Sequence, residues 1–180
     1  MEAVSECPRC GTAVLYEEAR TCTSCDERFC PHCYSVHVKE RHNVYVLGFL
    51  FSLDGQFVTL IRKKRPAWQR GKLNGIGGLV EPGETPADAI RREFREEAGQ
   101  DISTWRERAT IDRPGTRIHV FSAFAAPDDL PLTARGDEEI VLSLTYALPS
   151  RALTNLHWLV PMCADPNVRT ATVIQENHTR

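Results

Sequence analysis

The sequence predicts an α/β fold, a sheet with helices on both faces (an α/β/α sandwich), preceded by a small metal-binding module. Three observations carry that expectation. Apolar runs bounded by turn residues stand on both sides of one short amphipathic helix at residues 86–98, a second apolar helical segment lies at residues 153–163, and six cysteine and three histidine side chains crowd into residues 7–42. A chain of 180 residues with 42% apolar composition suffices for one ordinary domain and a small module, divided as 1–42 and 43–180. The 22 basic and 24 acidic side chains nearly cancel. The opening M-E-A-V-S-E-C-P-R-C has neither a basic stretch nor a continuous apolar one, and no run approaches the ~18 apolar residues of a spanning helix. A cytoplasmic protein without membrane contact is expected, and in reducing cytosol paired cysteines are metal ligands more often than disulfides.

In the module the spacing is Cys7-x2-Cys10, Cys22-x2-Cys25, Cys30-x2-Cys33, His37 and His42. Eight soft or borderline ligands make two tetrahedral Zn²⁺ sites, since each ion takes four. The order resembles the B-box and RING-like cross-brace fingers, in which alternate ligand pairs share a metal. That resemblance implies Cys7, Cys10, Cys30 and Cys33 on one zinc and Cys22, Cys25, His37 and His42 on the other, with His32 as a substitute ligand. A single-zinc ribbon and a disulfide knot are the alternatives. So short a segment has too little core to fold unaided, which makes the zinc structural. Residues 1–42 carry five basic against seven acidic side chains, so nucleic-acid binding, which depends on clustered positive charge, is not expected there. A protein partner or self-association is the better expectation for the finger.

Residues 44–51 then read as a buried strand, Asp54-Gly55 as a hairpin turn and residues 57–61 as the returning strand. R-K-K-R-P-A-W-Q-R-G-K follows at 62–72, with six basic side chains in eleven. Facing a metal site, this loop would attract an anionic substrate and neutralise its terminal phosphates, with Arg62, Lys63 and Lys64 as the candidates. A solvated basic loop or a nucleic-acid patch is the alternative. Trp68 either stacks on a base or anchors the loop. Leu73-Asn74-Gly75-Ile76-Gly77-Gly78 supplies glycines where backbone must pass close to a phosphate.

The helix at 86–98 has Thr85 to cap it, Pro86 in its first turn and Gly99 just past its last. Ala87, Ile90, Phe94 and Ala98 form its apolar stripe, while Glu93, Glu96 and Glu97, at i, i+3 and i+4, share one face. Like charges so close need a counter-charge, and hard oxygen donors without Cys or His suit Mg²⁺ or Mn²⁺. Gly78, five residues, Glu84, seven residues, then Arg92-Glu93-Phe94-x-Glu96-Glu97-x-Gly99 resembles the Nudix box, the signature of the Nudix hydrolases. Gln100 stands where that family closes the pattern with an aliphatic residue. The resemblance covers residues 43–163 and implies the α/β/α sandwich. It also implies that Glu93, Glu96 and Glu97 bind the metals, that the Gly77 carbonyl adds a ligand, and that Arg92 and Glu84 orient the carboxylates. The Asn74 segment resembles the Asn-Gly-x-Gly-Gly of Nudix enzymes that destroy oxidised purine nucleoside triphosphates, in which that Asn bonds the base. Some Nudix enzymes acting on reduced dinucleotides also carry a zinc module, but the proline-rich motif that follows their box is absent.

Beyond the box, residues 105–111 and 116–125 read as strands joined through Pro114-Gly115, residues 140–148 as another, and 153–163 as a helix interrupted near Pro161. In several Nudix enzymes a glutamate ahead of the last core strand completes the metal site or takes the proton from water. Glu138 matches that place, with Glu139 next to it. Asn155 falls where the oxidised-purine enzymes carry a second base-reading residue, and it equally suits the N-cap of a helix starting at Leu156. The expected activity is Mg²⁺-dependent hydrolysis of a nucleoside triphosphate to monophosphate and pyrophosphate, with Glu93 or Glu138 accepting the water's proton. Hydrolysis of NADH, ADP-ribose or another dinucleotide or nucleotide sugar is one alternative. A non-catalytic nucleotide sensor that docks a partner through its finger is the other.

Overall fold

The structure is a computed structural model that describes residues 4–8, 10–15, 17–21, 28–33, 43–113 and 115–174. The chain divides into two compact units, one of Met1–Asn43, Pro114–Thr116 and Asn177–Arg180, the other of Val44–Arg113 and Arg117–Glu176. Among the described residues no helix is long and apolar enough to cross a membrane.

In the first unit, β1 (Val4–Glu6) pairs antiparallel with β2 (Ala13–Leu15), and β3 (Arg20–Thr21) with β4 (Arg28–Phe29). Its described core consists of Cys7, Val14, Phe29 and Cys33, with Ala19 and Cys30 against them. So few buried side chains, each contributing roughly 1.5–3 kcal/mol at most, do not offset the chain entropy of a fold. Cys7 and Cys10 are joined by a tight knuckle in which Gly11 N–H donates to the Cys7 carbonyl and Cys7 N–H to that of Thr12. Cys22, Cys25, His37 and His42 lie outside the described residues.

The second unit is built on β5 (Asn43–Ser52), β6 (Phe57–Arg62), β7 (Leu73–Asn74), α1 (Pro86–Ala98), β8 (Arg106–Arg113), β9 (Thr116–Ala125), β10 (Glu139–Leu144), α2 (Leu156–Ala164) and β11 (Ala171–Ile174). The strands form one seven-stranded sheet in the order β10-β6-β5-β9-β8-β11, with β7 also paired to β6. Because strand side chains alternate faces, β5 supplies both cores at once. Leu47, Phe49 and Phe51 pack with Leu156, Leu159 and Val160 of α2. Val46 and Leu50 belong to the opposite face, with Ile90 and Phe94 of α1. The helices therefore cover the two sides of the sheet, which is the predicted α/β/α sandwich. At Gly48 an added Cβ would stand 2.6 Å from Ile90 Cδ1, so the missing side chain lets α1 lie close on β5.

Three expectations shift. The strand expected to run to Leu148 ends at Leu144, which faces Phe57, the first residue of β6; the next residue, Thr145, still donates its N–H to the Gln56 carbonyl at 2.9 Å, and there the chain turns away. The last helix starts at Leu156 and continues past Pro161 to Ala164 instead of breaking there. Two short strands, β7 and β11, carry too few residues for any periodicity, and each owes its form to its neighbour, β6 and the parallel β8 respectively.

Candidate active site

Helix α1 brings the site together. Thr85 accepts the Asp88 N–H through its hydroxyl, Pro86 occupies the first turn, and Gly99 closes the helix in the left-handed region at φ 75°. Its buried side chains are Ala89, Ile90, Phe94 and Ala98, so the expected stripe is corrected at one position: Ala87 is exposed and Ala89 is buried. The helix is rolled so that the row Ala89–Glu93–Glu97 runs along the rim of the core. In consequence the three glutamates are not equivalent. Glu93 and Glu97 are 14% and 22% exposed, whereas Glu96 is 60% exposed at the edge.

Arg92 ties the group together. Its Nε and Nη2 donate to the two oxygens of Glu84 at 2.9 and 3.0 Å, Nη2 also reaches the Leu79 carbonyl at 3.0 Å, and Nη1 donates to Glu93 Oε1 at 2.8 Å and Glu96 at 3.4 Å. The Arg92 hydrogen bonds hold the Glu84 carboxyl below the usual carboxylate range. Glu97 goes the other way: burial, followed by the charges of Glu138 and Glu93, lifts it to about 7 against the partial relief given by Lys63. Its Oε2 is buried without a hydrogen-bond partner. Gly77 lies so close to the Val46 carbonyl, and Gly78 to the Glu93 carboxylate, that neither place has room for a Cβ. Buried carboxylates that repel one another, an orphaned oxygen and backbone drawn up against them fit a hard divalent cation.

Glu138, just ahead of β10, joins this cluster. Lys63 Nζ donates to it at 2.7 Å and stands 3.6 Å from Glu97, and the Lys64 N–H donates to its other oxygen at 2.8 Å. Glu139, the neighbouring candidate, is turned to Arg62 at 3.2 Å. The cleft has a volume of about 660 Å³ and is lined by Lys63, Lys64, Arg65 and Arg70 together with Glu97, Asp137 and Glu138. The NUDIX domain family matches residues 41–156. The chain belongs to the Nudix family.

Within that family, the domain is 37% identical over 98 residues to the NAD-capped RNA hydrolase NUDT12 of Homo sapiens, a match covering 53% of this chain and 21% of that one. It is 36% identical over 77 residues to the oxidized purine nucleoside triphosphate hydrolase of Mus musculus, covering 39% of this chain and 49% of that one. The chain thus spans about a fifth of the length of NUDT12. A solved NUDIX-family hydrolase from Clostridium perfringens shares the fold with a TM-score of 0.57 at 18% identity, covering 69% of this chain and 97% of that one.

The substrate-reading candidates of this Nudix domain stand as follows. Asn74 accepts the Gly75 N–H at 2.9 Å and offers its Nδ2 to Gln69 Oε1 at 3.4 Å. Asn155 sits just ahead of α2 but makes no side-chain cap, and the pairing of Leu73 with Ala152 sets that segment beside the strand bearing Asn74. Trp68 is 61% exposed. Arg65, Gln69 and Arg70 were not singled out from the sequence, although the density of cations in residues 62–72 was the signal that pointed to two of them.

In the first unit, the sulfurs of Cys7, Cys10, Cys30 and Cys33 all lie within 4.8 Å of one another, with Cys10 and Cys30 at 3.9 Å. A tetrahedral zinc with bonds of about 2.3 Å holds its sulfurs roughly 3.8 Å apart, so the spacing fits that ion. Burial and the crowding of Cys10, Cys30 and Cys7 push the Cys33 thiol up to about 12. Cys10 goes the other way, its thiol drawn below the usual value by hydrogen bonds with Thr12.

Proposed function

We propose that the protein is a divalent-cation-dependent pyrophosphohydrolase that cuts a purine nucleoside triphosphate into the monophosphate and pyrophosphate. The gathering of Glu93 and Glu138 about Glu97, beside a cleft that Lys63, Lys64, Arg65 and Arg70 also line, carries this reading. Glu93, Glu97 and the Gly77 carbonyl would hold Mg²⁺ or Mn²⁺, with Glu96 contributing from the rim. A cation there supplies charge against the phosphate oxygens and acidifies the attacking water. The phosphoanhydride P–O bond breaks as the water oxygen bonds phosphorus, and the water's proton passes to a carboxylate. Glu138 is that acceptor, because Lys63 Nζ and the Lys64 N–H fix its position in the cleft. Arg92, braced by Glu84, keeps the Glu93 carboxylate aimed at the cluster. Asn74 reads the base through Nδ2, and the likeness to an oxidized purine nucleoside triphosphate hydrolase supports a purine, an oxidised one included. Trp68 and Asn155 would complete the base site.

The first unit is read as a two-zinc finger, with Cys7, Cys10, Cys30 and Cys33 on one ion and Cys22, Cys25, His37 and His42 on the second. The finger would be a protein-docking or self-association surface, and cysteine pairs that serve as metal ligands suit a reducing compartment such as the cytoplasm. A second reading of the substrate, a dinucleotide or an NAD-capped RNA end, is favoured by the 37% identity to NUDT12. A substrate panel in Mg²⁺, with both products identified by mass, tests the two. Purine triphosphates should be turned over at least about tenfold more efficiently than pyrimidine triphosphates, as a buried polar reader worth ~1–3 kcal/mol requires. If NADH, ADP-ribose or an NAD-capped oligonucleotide outruns every triphosphate, the second reading replaces the first.

A further inference from the structure

The cations beside the cleft divide into committed and uncommitted charges. Arg62 is held by Glu139 at 3.2 Å, and Lys63 by Glu138 at 2.7 Å and Glu97 at 3.6 Å. Lys64, Arg65 and Arg70 line the same cleft, are exposed, and have no carboxylate within ion-pair distance among the described residues. The loop that carries them is closed on itself. Lys63 N–H donates to the Lys72 carbonyl at 2.9 Å, Gly71 N–H to that of Lys63 at 2.8 Å and Gln69 N–H to that of Pro66 at 2.9 Å, while Arg70 Nε reaches back to the Lys64 carbonyl at 3.4 Å. Three like charges are thus carried on one closed loop that lines the cleft, with Asp137 and Glu138 in the same lining, and an anion entering there would offset them.

We infer that Lys64, Arg65 and Arg70 form an anion subsite beside the acidic centre, which takes the terminal phosphate of a triphosphate and makes the enzyme prefer triphosphates to diphosphates. This rests on the pyrophosphohydrolase reading above. The hydrolysed link lies at the carboxylates, where Lys63 is already engaged, so a phosphate one unit further along the chain meets the uncommitted cations next. The guanidinium groups of Arg65 and Arg70 present paired donors that match the oxygens of a terminal phosphate, and ordering them costs little because the loop is already closed. A basic loop that only steered anions toward the cleft would accelerate capture of diphosphates and triphosphates alike. A subsite distinguishes them.

The test compares kcat/KM for a purine nucleoside triphosphate and the matching diphosphate in Mg²⁺, in the full chain and in Arg65→Gln/Arg70→Gln with an unchanged circular dichroism spectrum. The triphosphate should be favoured at least about tenfold in the parent, and the double variant should bring that ratio close to one. A parent ratio near one, or a variant that lowers both substrates by the same factor, overturns the subsite. Should neither nucleotide be hydrolysed, the pyrophosphohydrolase reading fails on its own and titration with inorganic tripolyphosphate decides the subsite. Binding weakened at least about tenfold in the double variant supports it, and equal binding, or none by the parent, overturns it.

Discussion

At Arg92 a single guanidinium serves Glu84, Glu93, Glu96 and the Leu79 carbonyl, so the geometry of the site depends on one side chain held by another. Glu93→Gln and Glu97→Gln should each lower kcat at least a hundredfold, about 2.7 kcal/mol of transition-state stabilisation, with the melting curve little changed. Steady-state rates in saturating Mg²⁺ check this, and a near-normal kcat in either variant removes that residue from the metal set. Glu84 makes a pH prediction. Its folded-state pKa is depressed by Arg92, so its contribution is fully present above the ordinary glutamate value of ~4.3 and is lost as pH falls through the lower, folded value. Glu84→Gln should therefore melt lower than the parent at pH 7, and the difference should shrink below about pH 4. Melting temperatures from pH 3 to 7 measure it. Unlike the glutamates of α1, which could be read from their spacing, the partnership of Lys63 with Glu138 joins residues 75 apart and is written in no local pattern.

The element on which the site stands is α1, and it was legible to the residue because its caps and its 3.6-residue period are local signals. Its roll about its own axis was not. Whether Ala87 or Ala89 faces inward is decided by the sheet beneath, where Gly48 admits Ile90 and Trp105 packs edge-on to Phe94 with ring centres 5.2 Å apart. Gly48→Ala should accordingly cost about 1–3 kcal/mol, the range for an extra methyl in a packed interior. Urea denaturation measures the loss, and Gly48→Ala/Ile90→Val should recover part of it by removing the Cδ1 carbon in the way. A Gly48→Ala protein as stable as the parent would mean that α1 slides without penalty. The short strands β7 and β11 escaped notice for the converse reason: two and four residues hold their form only against a neighbour.

For the molecule as a whole, the sandwich was foreseeable because apolar strands flank an amphipathic helix, and a four-cysteine cluster that could hold zinc because its ligands come in Cys-x2-Cys pairs. The gathering of Cys7, Cys10, Cys30 and Cys33 matches the pairing that the cross-brace resemblance implied for one of its two sites. Protein purified without added metal should give a zinc-to-chain ratio near two by elemental analysis. A ratio near one would leave the four-cysteine site and remove the second. A zinc-selective chelator should unfold the first unit, read as lost protease resistance in residues 1–42, while hydrolysis in replenished Mg²⁺ persists.

Trp68 stands 61% exposed in the closed loop whose cations line the cleft, while Trp105 lies half-buried against Phe94 under α1. With Trp158, 38% exposed on α2, the chain carries three tryptophans, of which Trp68 and Trp105 stand in different surroundings. Trp68 emits from water at long wavelength and answers to what enters the cleft, and Trp105 emits from the interior at shorter wavelength and answers to the seating of α1. Nucleotide binding and unfolding can then be followed optically in one unlabelled sample, the first as quenching at the red edge that Trp68→Phe abolishes, the second as a red shift that survives the same replacement.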